Sequence, residues 1–194
     1  MIDIIFAIIN IVVYLSFLLF VGLAIYYIIK TNLENYHSNW NTLLDDFKYS
    51  TKDFYALVEE EIKANGITGV TFEQVYLNES TIISAMRLYL RVHWKEYQYD
   101  ICAAPFGKGF FISWWLIYDN SPWQIIINKI PYIGTWLVDK LYPITYYKID
   151  TASMFMTYAQ SAVLKVVEDI TKDAGTRELT ELEKRPILSD VFKR

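Results

Sequence analysis

The chain opens on an unbroken apolar block. Residues 4–29 carry no charge, and residues 11–29 (IVVYLSFLLFVGLAIYYII) make a run of about nineteen, enough for a helix to cross a bilayer core of roughly 30 Å. The pattern predicts one transmembrane helix over residues 1–30. It does not read as a secretory leader: no Lys or Arg precedes the run, and the exit through Tyr26-Tyr27-Ile28-Ile29-Lys30 offers no small-x-small cleavage site. Tyr26 and Tyr27 stand where an aromatic belt meets the headgroups. Lys30 biases the remainder of the chain toward the cytoplasm, with the N-terminus outside.

From Lys30 to Asn65 no Pro or Gly interrupts the chain. Apolar residues recur at spacings of three and four, at Leu33, Tyr36, Trp40, Leu43 and Phe47 and again at Phe54 and Leu57. Residues 31–66 are therefore expected to continue the span as an amphipathic stalk helix ended by Asn65-Gly66. The seam serves either self-assembly as a coiled coil or packing on the chain's own domain. The large aromatics fit packing better, because tight coiled-coil dimers favour Leu, Ile and Val.

The period then changes from helical to two. Residues 70–77 read as a short strand, and Asn78 to Thr81 offer cap chemistry for a brief helix over residues 82–86. A turn at Lys95-Glu96 sets Trp94 opposite Tyr97, Val92 opposite Tyr99, Leu90 opposite Ile101 and Leu88 opposite Ala103, all apolar on one face. On the other face it pairs His93 with Gln98, Arg91 with Asp100 and Tyr89 with Cys102. A slip by one residue would turn the apolar set outward, so this register is well specified. Lys-Glu is a poor two-residue turn, which suggests a longer loop. A second turn at Gly107-Lys108 sets Ile101 against Trp114, Tyr99 against Leu116 and Ala103 against Ile112. Phe111, Trp115 and Ile117 make the last strand apolar on its second face too, so cover on both sides is expected.

Asp119-Asn120-Ser121-Pro122 is a strong helix start. It opens a helix over residues 123–130, which Pro131 interrupts, and a second short helix over residues 132–142 ends at Pro143. This aromatic stretch, with Trp123 and Trp136 among Lys129 and Lys140, serves either as cover for the sheet or as a surface lying on the membrane. The sheet's need for a cover favours the first. Residues 145–149 are a candidate final strand. A helix over residues 152–174 carries the stripe Phe155, Ala159, Ala162, Val166 and Ile170, and Gly175 ends it. Residues 176–194 are a charged tail with a short helix starting at Thr180. Its Ile187, Leu188, Val191 and Phe192 either dock back or bind a partner. The fold class expected is α+β: a transmembrane helix continuing into an amphipathic helix, then an antiparallel sheet of about four or five strands packed with helices. The domains are an anchor (1–30), a stalk (31–66), an α+β soluble domain (67–175) and the tail.

Composition changes this picture little. Aromatics make up 17% of 194 residues, many beyond Lys30, which supports a dense core rather than disorder. The net charge of −4 without a basic block argues against nucleic acid as a partner. One cysteine, Cys102, excludes an intrachain disulfide and mildly favours a reducing compartment. No metalloprotease, Cys-x-x-Cys, EF-hand, P-loop or nucleophile-elbow pattern occurs, so neither an enzyme nor a cofactor is expected. Cys102 and His93 are two residue pairs apart in the hairpin register, some 14 Å, too far for a nucleophile and its base. The candidate ligand cluster, for a small anion or polar molecule, is Arg91, His93, Gln98 and Asp100, although ordinary cross-strand pairs on an exposed or edge face explain it better.

The function expected is a single-pass membrane-anchored interaction or scaffold protein. It would self-assemble or hold a partner complex at the membrane, its partners being the lipid bilayer and itself or other membrane proteins. The alternative is a membrane-tethered sensor whose domain binds a small anionic ligand at Arg91 and His93.

Overall fold

The computed structural model describes residues 2–30, 35–77 and 86–188; within the first helix the side chains described are those of Phe6 and residues 9–22. The chain divides into two compact units, residues 1–33 with 120–143 and residues 34–119 with 144–194.

The second unit is an α+β structure built on a six-stranded antiparallel sheet of order β2-β3-β4-β5-β1-β6. Its strands are β1 (Asn35–Leu44), β2 (Thr71–Leu77), β3 (Arg87–Trp94), β4 (Tyr97–Phe106), β5 (Gly109–Tyr118) and β6 (Ile187–Leu188). Helix α2 (Thr51–Ala64) carries the chain from β1 to the far edge strand β2, and a meander then returns through β3 and β4 to β5. Both hairpin registers are the expected ones, from Trp94↔Tyr97 to Tyr89↔Cys102 and through Ile101↔Trp114. The first turn is shorter than expected: Lys95 takes φ 55° and two residues suffice.

One sheet face is the core. Leu90, Val92, Tyr99, Ile101, Ile112, Trp114 and Leu116 are all buried on it. Two helices pack there. In α2, capped by Ser50, the buried stripe is Phe54, Tyr55, Val58 and Ile62. In α5 (Tyr146–Asp173) it includes Phe155, Ala159, Ala162, Val166 and Ile170, as the periodicity predicts. The alanines let this helix approach a sheet already filled by large rings, with Phe155 meeting Trp94 and Tyr99. Lys165 and Glu61 join the two helices at 2.6 Å.

Three expectations are corrected. Residues 35–44 are not a stalk helix but β1, paired along its length with β5. Trp40 and Leu44 lie four apart, which fits a helix face and a strand face alike. The Asn, Ser and Thr residues between them are weak helix formers, and β5 offers a ladder and a core. Trp40 is consequently buried in the sheet rather than in a helical seam, Leu43 lies on the opposite face, and Phe47 follows the turn at Asp46 (φ 50°) into the core. Leu33 lies outside the described residues, as do the side chain of Tyr36, the helix expected from residue 82 and the tail residues Val191 and Phe192. Second, residues 145–149 are not a strand. Thr145 caps α5 by accepting from the Lys148 N–H, so the helix starts six residues before Ala152. Third, Thr180 and Glu183 form a reciprocal cap, but only a turn follows.

The tail docks back. β6 pairs with Ser38 and Asn39 of β1, Leu179 is buried, Trp40 Nε1 donates to the Glu183 carbonyl and Gln160 donates to the Lys184 carbonyl at 2.7 Å. An edge strand that would expose unpaired backbone is thereby covered.

The first unit contains α1 (Ile2–Lys30), α3 (Pro122–Asn128) and α4 (Gly134–Leu141). α3 starts on a capping box between Ser121 and Gln124, with Pro122 at its first position. Among the described residues no helix is long and apolar enough to cross a membrane.

Candidate functional site

The sheet's second face carries the polar residues. Strand alternation and register place Glu73 (β2), Arg91 (β3), Asp100 (β4), Trp115 (β5) and Asn39 (β1) side by side in one row. His93 and Gln98 make an adjacent row, and Tyr89, Cys102, Ser113 and Asn41 the row on the other side. All four candidate cluster residues, Arg91, His93, Gln98 and Asp100, are thus brought together.

Asp100 is the centre of this cluster. It is only 3% exposed. Its two carboxylate oxygens accept from Arg91 Nε and Nη2, each at 2.8 Å, and Gln98 Nε2 adds a third bond at 2.8 Å. A planar guanidinium matched to a carboxylate by two parallel bonds is the strong, directional form of an ion pair. Glu73 completes the group. Its carboxylate lies 3.2 Å from His93 Nε2 and 3.9 Å from Arg91 Nη1. Among the described residues, two carboxylates thus face the Arg91 guanidinium.

The neighbouring row is closed over Cys102 and Ser113, both buried. Burial pushes the Cys102 thiol above its ordinary pKa, while the Arg87 charge and hydrogen bonds with Tyr89, Arg87 and Ser113 pull the other way. A thiol held protonated is a poor nucleophile. The cover on this face is strongest over Asp100, Cys102 and Ser113 and opens at Trp115, so the expected two-sided burial holds better for β4 than for β5. Among the described residues no group of three His, Cys, Asp or Glu side chains could hold a metal ion.

Two features were missed in the sequence. Glu73 joins the cluster through the β2–β3 register, and the alternation of Thr71, Glu73 and Val75 was the available clue. The second is Tyr55. The β3–β4 ladder stops at Tyr89↔Cys102, so the expected Leu88–Ala103 pair does not form. In its place the Tyr55 hydroxyl donates to the Leu88 carbonyl at 2.7 Å and accepts from the Ala103 N–H at 3.0 Å.

In the first unit, Trp123 and Trp136, expected at a membrane interface, are 68% and 61% exposed. The side chains of Tyr26 and Tyr27 lie outside those described. Comparison with protein-family models, with curated proteins and with solved structures finds no match for this chain.

Proposed function

We propose that the protein is a single-pass membrane-anchored interaction protein, with α1 as anchor and the sheet unit held at the bilayer surface. One observation carries this reading. Every large apolar side chain described in α1, from Phe6 to Phe20, is exposed, the least of them, Leu18, by 47%. A helix apolar all round needs cover on every side, and these described side chains are left bare. Lipid supplies it, and Lys30 at its end favours a cytoplasmic side for the sheet unit. Self-assembly, or the anchoring of a partner complex, would run through α1, because Trp40 and Phe47 of the expected stalk seam are buried in the core of the sheet unit. The alternative of an anion sensor at Arg91 and His93 draws less support: Asp100 already occupies the guanidinium fork, and Glu73 adds negative charge.

The test compares the full chain with one beginning at residue 32, by membrane flotation and by native mass spectrometry in mild detergent. The reading expects the full chain to float with vesicles and resist an alkaline wash, and the shortened chain to lose that resistance. Alkaline release of the full chain would refute it.

A further inference from the structure

The α3–α4 hairpin turns its apolar stripe outward. On α3 the exposed large apolar residues are Trp123 and Ile126, three apart and so on one helix face, and Ile130 is exposed just beyond its end. At the turn Tyr132 is fully exposed, and Ile133 and Trp136 follow, each more than half exposed. A surface helix normally presents the reverse pattern, with polar residues outside.

The hairpin is also held tightly in this form. Tyr132 takes φ 66°, a region that bulky residues rarely adopt, and the Ile133 N–H closes a three-residue turn onto the Pro131 carbonyl at 2.9 Å. Gly134 N–H bonds the Ile130 carbonyl at 2.9 Å, and a Cβ on Gly134 would meet the Ile127 and Asn128 carbonyl oxygens at 2.5 and 2.6 Å. Strain of this kind persists only where the surrounding structure imposes it. Here it projects Tyr132 and Ile133 from the tip.

We propose that the α3–α4 hairpin is a second membrane contact, its Trp, Tyr and Ile side chains seated at the headgroup level of the bilayer that holds α1. The inference rests on the reading of α1 as an anchor. Three observations select lipid over a protein partner. The rings are Trp and Tyr, amphipathic groups that collect at the membrane–water interface. Lys129 and Lys140 lie among them against a single acid, Asp139, giving this segment net positive charge in a chain of net charge −4. Lysine snorkels at bilayer interfaces but is depleted at the cores of protein interfaces. Finally, residues 120–143 belong to the same compact unit as the apolar helix α1.

The test uses the full chain in vesicles of phosphatidylcholine with a minor fraction of phosphatidylglycerol, the acyl chains brominated close to the headgroup. Tryptophan quenching is read in the native chain and in the W123F/W136F double variant. Both positions are exposed, so Phe there leaves folding intact. The proposal expects quenching in the native chain and loss of its larger part in the variant, both proteins floating with the vesicles. Flotation with no quenching, or with quenching the variant retains, overturns the hairpin contact and leaves the anchor standing. Absent quenching together with shielding of Trp123 and Trp136 from aqueous acrylamide would assign the face to a second copy and also overturn it. Failure to float would remove the anchor reading and the hairpin contact together.

Discussion

Two buried tyrosines on the same core show what a hydroxyl does when it has partners and when it has none. Tyr55 bridges the Leu88 carbonyl and the Ala103 N–H where the ladder stops, so Tyr55→Phe strands two backbone groups. The expected cost is about 1–3 kcal/mol, read as a lower urea midpoint at unchanged slope. Tyr99 is also fully buried, but among the described residues its hydroxyl has no hydrogen-bond partner, and burial raises its pKa well above the ordinary value. Tyr99→Phe is therefore expected to leave the urea midpoint unchanged or to raise it. A clear loss of stability in that variant would contradict the geometry. The Arg91–Asp100 pair obeys a related asymmetry. Asp100→Asn alone replaces the carboxylate of two charge-assisted bonds by a neutral amide and leaves Glu73, 3.9 Å away and half exposed, as a carboxylate facing Arg91, costing about 1.5–3 kcal/mol. Replacing both by apolar residues, Arg91→Met with Asp100→Leu, should recover most of that loss. Urea titrations of the single and double variants measure both effects.

At the scale of elements, the docked tail carries a pH-sensitive contact. Glu183 accepts from Arg177 and from the Thr180 N–H and hydroxyl, which together push its carboxyl down to about 2. A carboxyl depressed in the folded state stabilises fully above its ordinary 4.5, and that contribution fades as pH falls toward about 2. The tail should loosen across this window. Trp40, whose indole donates to the Glu183 carbonyl, is the reporter. Its emission should shift between pH 4.5 and 2 in the native chain, and Glu183→Gln should show the shifted spectrum already at neutral pH. Both partners are exposed, so added salt should weaken the effect. The same scale shows what the sequence could tell. Residues 88–118 were legible because period two and a turn at each end admit one register, and that register assembled Arg91, His93, Gln98 and Asp100 without further help. β1 was not legible, because Trp40 and Leu44 satisfy both periods and only β5 decides between them. Tyr55 and the tail depend on pairings between segments remote in sequence, which no local pattern encodes, and for Glu73 the alternation along β2 gives the face while only the β2–β3 register gives the partner.

Among the described residues, the buried hydrophobic core cluster belongs to the sheet unit. It includes Trp40, Phe54, Tyr99, Trp114 and Phe155. A chain of residues 34–194 should therefore keep the sheet unit's urea midpoint close to that of the full chain, the difference staying within about 0.5 kcal/mol. Its membrane behaviour should change in kind rather than vanish. A spanning helix inserts in an effectively irreversible way, whereas a few interfacial side chains give at most the weak, reversible binding of a single acyl chain. Loss of α1 should thus convert wash-resistant attachment into partitioning that falls with dilution, and W123F/W136F in the shortened chain should reduce what remains. Vesicle sedimentation over a range of lipid concentrations separates these cases. An anchor acting alone leaves no partitioning after α1 is removed, and an anchor assisted by the hairpin leaves a residue that depends on Trp123 and Trp136. A collapse of the urea midpoint would instead show that the sheet unit depends on α1 for its stability.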